Sequence, residues 1–266
     1  PPPSSAAPAS APTSASPPAQ PKKAPAARPP TAVPAGSARV AARRNFDDVA
    51  TSESQRWAAS RAVSAKATVP CTYLTADAEV DKLLEMLDEI SAQEDTTLHI
   101  HHMAVLAAAK AMAQVPEANA CWVDGGVRRL GRVDVAVAAG TGEGCAVGGV
   151  VRSADHLSLV DLAGQCRVLL SGMPLSQAEC EGAALTVVFS ESQQALGIVE
   201  SFTGTTLTIT APVKRVQIHP VTNKPVVVSM VRLGLSCDER AVGTEDAQRL
   251  LKVLQRSMQN PWLMLA

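Results

Sequence analysis

The sequence predicts an α+β (or mixed α/β) domain, one main sheet with helices packed over it. Three observations predict it. Helical and strand periodicities follow each other without a repeat: helix, strand, two helices, two strands, helix, several strands, helix. Aromatic residues make up only 3% of the 266, so the core must be built from Ala, Val and Leu, which let helices lie close on a sheet. A proline-free, β-branched run, Val226–Cys237, leads through a charged corner into a final helix.

The first 45 residues stand apart. Pro1–Arg44 is almost entirely Pro, Ala and Ser, and its twelve prolines forbid the helix that Ala favours. Too few large apolar residues are present to offset the entropy of ordering, so residues 1–45 are expected to be a disordered, semi-extended linker that carries something upstream at a distance. The folded domain is expected over 46–266.

Within it, Ser52 can cap a helix over Glu53–Ala65. Val69–Ala78 reads as a strand, and Val80–Ala92 as an amphipathic helix with Leu83, Leu84, Leu87 and Ile90 on one face. Leu98–Val115 is a second helix, alanine-dense and therefore buried, stopped by Pro116. Arg132–Ala139 and Cys145–Val151 read as strands joined by a Gly-rich turn, and Ser158–Leu170 as a helix capped by Ser158. Ala184–Phe189 and Thr205–Thr210 read as strands. The 212–225 segment, with three prolines and Asn223, reads as a loop. The long strand then places Val227, Val231, Leu233, Leu235 and Cys237 on one face. Glu245–Met258 forms the last helix, with Thr244 as its cap and two acids in its first turn.

Composition excludes several functions. Net charge is −1, with all six charges of residues 1–45 basic and 18 basic against 25 acidic residues in the rest, a net −7. Such a domain has no electrostatic basis for nucleic-acid binding. No apolar run is long enough for a membrane-spanning helix. Cys71, Cys121, Cys145, Cys166, Cys180 and Cys237 show neither CxxC nor metal spacing, and read as small core residues in a reducing compartment. No signal or transit peptide is visible. Because the chain begins inside low-complexity sequence, the natural N-terminus is expected further upstream.

Two clusters invite chemistry and do not sustain it. His99, His101 and His102 stand at a helix start, but positions i and i+2 do not share a helix face and no carboxylate or thiolate completes a metal set, so a surface or capping role is expected. Gly140-Thr141-Gly142-Glu143-Gly144 lacks the GxGxxG and Walker spacings and reads as a tight turn between strands. Neither GxSxG nor HExxH occurs. The remaining candidate is the corner Asp238-Glu239-Arg240, three charges where a buried strand meets a helix. Unpaired charge there is costly to desolvate, so the corner is either a site or a salt-bridged joint.

Four segments carry a family resemblance: KATVPCTYLTADAEVDKLL (66–84), VPEANACW (115–122), RVDVAVA (132–138) and LGLSCDERAV (233–242). In their order and spacing the chain resembles, over about 47–266, the catalytic domain of dihydrolipoamide acyltransferases, the core-forming component of 2-oxoacid dehydrogenase complexes. The pyruvate-complex acetyltransferase is the nearest likeness. The resemblance implies the chloramphenicol-acetyltransferase-like fold, trimers with active sites between subunits, and assembly of trimers into a large hollow core. The Pro/Ala linker suits the family's tethers.

The resemblance also exposes departures. Active members carry D-H-R-x-x-D-G where this chain reads Asp238-Glu239-Arg240-Ala241-Val242-Gly243-Thr244, so Glu239 takes the histidine position and Gly243 that of the second aspartate. In the family, that histidine removes the proton of the coenzyme A thiol, which then attacks acetyl-dihydrolipoamide. A carboxyl of ordinary pKa ~4.3 is a weaker base for a thiol of ~8.5 unless burial raises it. The family's oxyanion-donating serine, in TISNLG, falls on Val188 of Thr186-Val187-Val188-Phe189-Ser190-Glu191, and Ser190 reaches that place only through a local shift. Losing a general base costs ~10²–10⁴ in rate and losing an oxyanion donor ~10²–10³. Asp238 and Arg240 survive as the family's structural pair.

These readings imply a non-catalytic relative with no bound cofactor, closest in role to the dihydrolipoamide dehydrogenase-binding protein (component X) of the pyruvate dehydrogenase complex. Its expected partners are acyltransferase core subunits, in a homo- or hetero-trimer, and dihydrolipoamide dehydrogenase held through an upstream domain. Its expected location is the mitochondrial matrix. The alternative is an active acetyltransferase binding coenzyme A and lipoyl groups, with Glu239 as base and Ser190 as donor.

Overall fold

The 14-residue strand Pro225–Asp238 is the longest in the molecule, and seven strands are hydrogen-bonded into one sheet around it. The computed structural model describes residues 49–141, 144–171, 182–193, 197, 199, 203–219 and 221–265. In chain order the elements are α1 (Glu53–Thr68), β1 (Cys71–Glu79), α2 (Asp81–Gln93), α3 (Ile100–Gln114), β2 (Ala120–Val123) and β3 (Gly126–Arg129). Then come β4 (Val135–Thr141), β5 (Gly144–Val151), α4 (Leu159–Leu170), β6 (Leu185–Ser190), β7 (Thr205–Thr210), β8 (Val213–Ile218), β9 (Pro225–Asp238), α5 (Thr244–Gln259) and α6 (Trp262–Leu265). Residues 50–266 form one compact unit, and the linker expected over 1–45 lies outside the described residues.

The sheet order is β1-β9-β7-β6-β4-β5, with β8 paired to β9 beyond the end of β7. β6 runs parallel to both β4 and β7 while the other pairs are antiparallel, which makes the sheet mixed as expected. Side chains alternate across it. Leu185 and Val187 of β6, Leu207 and Ile209 of β7, and Leu233 and Leu235 of β9 join one core with Leu83, Met103, Leu106, Leu162 and Leu250 from the helices. α3 lies deepest. Ala107, Ala108, Ala109 and Ala111 are all fully buried, the close approach that a small-residue core permits.

On β7 and β9 the opposite face is polar. Thr206, Thr208 and Ser236 are buried there, and the chain at Gly197 crosses them. The Gly197 N–H donates to Thr208 Oγ1 at 2.7 Å and Ser236 Oγ donates to the Gly197 carbonyl at 2.8 Å. A Cβ at Gly197 would stand 2.5 Å from Thr206 Cγ2, so only glycine fits.

Four expectations are corrected. The 212–225 segment is not a loop throughout: Val213–Ile218 forms β8, its prolines standing at the borders, where Pro225 opens β9. Val227 lies on the predicted face of its strand but is not buried there. It is 65% exposed, because this end of β9 pairs only with β8 and projects past the helices. The cap of α5 is Gly243, with no side-chain hydrogen bond, and Thr244 is the first helical residue. Finally, β2 and β3 form a hairpin about Asp124-Gly125, both at positive φ, that was not anticipated. The Ser52 and Ser158 caps form as expected, Ser52 within a full capping box with Gln55.

Candidate functional site

β9 delivers its last residue, Asp238, into the core with 2% of its surface exposed, and the chain then turns sharply. The Asp238 carbonyl accepts the N–H groups of Ala241 and Val242 at 3.0 and 2.9 Å, and Val242 is fully buried, so the corner is a closed turn anchored at both ends. Arg240 folds back on Asp238. Its Nε and Nη2 donate to Oδ1 and Oδ2 at 2.9 and 2.7 Å, and its backbone N–H donates to Oδ1 at 3.0 Å. The guanidinium lies 5.3 Å from the ring centre of Trp122 on the β2–β3 hairpin. Asp238 and Arg240 are a salt-bridged joint.

The positions expected to carry chemistry are differently placed. Glu239 is exposed, its N–H donates to the Pro70 carbonyl, and its carboxylate accepts from the hydroxyl of Thr72 on β1. Gly243 is extended (φ −65°, ψ 154°), a conformation open to any residue, and a Cβ there would meet nothing closer than Asp246 Oδ2 at 3.9 Å. Val188 is half-buried in an apolar cluster with Ala136, Ala138, Ala183 and Val150. Ser190 shares its face, but its hydroxyl accepts the Ser192 N–H at 3.1 Å in a local turn.

Register fixes the distance between these groups. Val188 pairs with Thr208 and Thr208 with Gly234, so Val188 lies two strands from β9, level with Gly234. Glu239 is five residues further on. At about 3.3 Å per residue and 4.8 Å per strand, the two positions are roughly 19 Å apart. Within one chain they cannot address the same reacting atom.

The other candidates settle into supporting roles. The Gly-rich run at 140–144 joins a hairpin, with Thr141 paired to Gly144, while residues 142–143 lie outside the described set. His99 and His102 close the start of α3: the His102 N–H donates to the His99 carbonyl at 3.0 Å, and His102 Nδ1 accepts the His99 N–H at 3.1 Å. His102 is 3% exposed, so this is a capping role but not a surface one. Burial, reinforced by neighbouring positive charge, lowers the His101 ring to about 4 and the His102 ring to about 3. Cys121, Cys166 and Cys237 are buried as expected, and burial pushes the Cys166 thiol up to about 11 and that of Cys237 to about 12. Cys71 is only partly buried. The side chain of Cys145 and all of Cys180 lie outside the described residues.

A group the sequence reading missed is Asp134, 2% exposed before β4. It accepts from Arg132 Nε and Nη2 (both 2.7 Å), Arg152 Nη1 (2.8 Å) and the Ser153 N–H (2.9 Å). The signal was an acid between apolar residues with an arginine two before it.

The family model of the 2-oxoacid dehydrogenases acyltransferase (catalytic domain) matches residues 43–266. The chain belongs to this family. The dihydrolipoyllysine-residue acetyltransferase component of the pyruvate dehydrogenase complex of Rickettsia typhi is 27% identical to it over 221 residues, 78% of this chain and 53% of that protein. The mitochondrial component 3 of Arabidopsis thaliana is 28% identical over 232 residues, 83% of this chain and 43% of that one. The chain thus spans about half the length of the curated relatives it matches. Among solved structures, the Azotobacter vinelandii dihydrolipoamide acetyltransferase superposes with TM-score 0.74 at 20% identity, over 83% of this chain and 94% of that one. A subunit of the cubic core of the pyruvate dehydrogenase multienzyme complex gives TM-score 0.73 at 20% identity, over 88% and 99%. The mixed sheet and its helical cover are therefore those of acyltransferase cores. The Azotobacter structure was determined to investigate the catalytic roles of a serine, a histidine and an asparagine, the last two four residues apart.

Proposed function

We propose that this chain is a non-catalytic core component of a pyruvate dehydrogenase complex, an acyltransferase-like domain retained for assembly and for carrying dihydrolipoamide dehydrogenase on a further domain beyond the Pro/Ala linker. One observation carries this reading. The three positions that the resemblance assigns to chemistry offer a solvated carboxylate engaged by Thr72, a glycine without a side chain and a valine among apolar neighbours. None supplies an imidazole, an orienting carboxylate or a hydroxyl donor, whereas the Asp238–Arg240 joint beside them is complete. The roughly 19 Å between Glu239 and Val188 supports a trimer in which the corner of one subunit faces the β6 end of its neighbour. In this reading coenzyme A and lipoyl groups are not bound, and the setting is the mitochondrial matrix. The matched relatives include both mitochondrial and bacterial proteins.

The second reading is an active acetyltransferase. The Thr72 hydroxyl would orient Glu239 as a base, and Ser190, on the Val188 face, would serve as oxyanion donor. Acetyl transfer from acetyl-dihydrolipoamide to coenzyme A by the purified protein separates the two. Turnover within about tenfold of an active family member rejects the first reading, and a rate at least 10²-fold lower rejects the second.

A further inference from the structure

The chemistry assigned above leaves unused the cleft at the start of α3. About 570 Å³ in volume, it is lined by Thr97, His99, His101, His102, Arg167, Leu170 and Ser171. The three imidazoles cluster, with ring centroids 4.1–5.7 Å apart. They are held from the core side, where His101 meets Phe189 edge-on at 5.1 Å. Among the described residues, no group of His, Cys, Asp and Glu has the arrangement to hold a metal ion. The donors point to anion chemistry instead.

Four features converge there. His102 is almost wholly buried yet lines the cleft; its Nδ1 is used by the cap, and its second ring nitrogen makes no hydrogen bond among the described residues. Neutral imidazole with Nδ1 accepting carries its proton on that second nitrogen, an N–H available to the cleft. Arg167 reaches in from the last turn of α4, held among the described residues by long 3.4 Å contacts to Thr96 Oγ1 and the Thr97 carbonyl. The first turn of the 15-residue α3 carries no acid, so no carboxylate offsets the positive end of its dipole. Thr97 adds a hydroxyl to the lining, whereas that of Ser171 already donates to the Val168 carbonyl at 2.8 Å.

We propose that this cleft binds a tetrahedral oxyanion, either a free ion or a phosphate carried on a larger molecule, through Arg167, the imidazole N–H groups and the first turn of α3. Binding is coupled to protonation, because an anion favours the charged form of rings that burial and mutual repulsion keep neutral. The charged and titratable groups facing the rings are Arg167 from α4 and, in the adjoining hollow beside His99, Asp88 of α2 and Asp95. The two acids oppose the anion, whereas protonated rings attract it, so affinity should rise as pH falls.

The test is a titration of the whole protein with inorganic phosphate, sulfate and O-phosphoserine against a chloride control, followed through the histidine ring resonances at pH 7.0 and 5.5. Sulfate stays a dianion across this range and isolates the protein's own titration. Saturable shifts of His101 and His102, at least tenfold tighter at pH 5.5 with sulfate, uphold the proposal. Tighter binding of O-phosphoserine than of phosphate identifies a carried phosphate, and the reverse a free ion; both uphold it. Arg167→Gln, at an exposed position, and His102→Gln, which keeps a cap acceptor, should each weaken binding at least tenfold. Shifts that do not saturate, match those with chloride, or survive Arg167→Gln unchanged overturn it.

Discussion

Arg240 grips Asp238 through two nitrogens, at 2.9 and 2.7 Å, across a corner where the carboxylate is 2% exposed. Asp238 has no solvent to fall back on. Arg240→Ala should therefore cost about 3–5 kcal/mol, the penalty for orphaning a buried charge rather than the worth of one ion pair. Arg240→Lys should recover only part of this, because an ammonium cannot reproduce the two-pronged contact or the stacking on Trp122. Urea unfolding of the three proteins checks both values. A loss below 1 kcal/mol for Arg240→Ala would show that the joint is dispensable.

Acid should weaken the fold in two stages. His101 and His102 are neutral in the folded state and resist protonation down to about 4 and 3, whereas in the unfolded chain they protonate near 6.5. Between those limits the unfolded state binds more protons, so stability falls as pH drops from about 6.5. The second stage belongs to carboxylates. Hydrogen bonds from Arg232 and then Arg215 hold Asp77 below the usual range against a burial cost, and at Asp134 burial is outweighed by Arg132, Arg152 and the Ser153 N–H. Their contribution is present above the ordinary carboxylate pKa and is lost as pH falls through the lowered one. Unfolding free energy measured from pH 7.5 to 3.5 should show both declines, and His102→Gln should flatten the first.

Gly204 tolerates no side chain. A Cβ there would stand 1.9 Å from the Ala120 carbonyl oxygen, a backbone atom that cannot swing aside. Gly204→Ala should cost about 3 kcal/mol or more by prying the β2–β3 hairpin from the end of β7. Gly243→Ala, in open space, should cost only about 1 kcal/mol or less through a weaker cap. Thermal melts of the pair test this, and equal losses would refute it.

Restoring one group should not restore chemistry. Glu239→His alone should leave acetyl transfer at least about 10²-fold below an active family member, because Val188 still lacks a hydroxyl. Combining it with Val188→Ser and Gly243→Asp should raise the rate well beyond any single change, since groups that act as a unit are strongly non-additive. Steady-state assays of the single and triple variants decide, and a full rescue by Glu239→His alone would refute three concurrent lesions.

Much of the fold was legible because its signals are local. Ser52 and Ser158 cap as read, and the alanine run of α3 is the buried helix it predicted. β8 was missed because Pro212, Pro220 and Pro225 drew attention from VKRVQI, although the prolines only bracket the strands. The β2–β3 hairpin had its signal in Asp124-Gly125 and was passed over. Val227 sits on the predicted face, but burial depends on what lies over a strand, and that is a tertiary matter. The cost of burying charge left the corner as either a site or a salt-bridged joint, and the pairing of Asp238 with Arg240 was legible only through the family resemblance. The engagement of Glu239 by Thr72 was not legible, since the two are 167 residues apart and meet only through the β1–β9 register.

Under the non-catalytic reading, the placement of Val188 and Glu239 toward opposite ends of the sheet would decide how a copy of this chain behaves among catalytic partners. Where each junction between neighbours draws one half from each chain, an incorporated copy of this chain spoils the two junctions it touches, not one. Dilution of a working assembly with this chain would then depress output faster than its mole fraction. Its dosage relative to catalytic partners becomes a control on throughput.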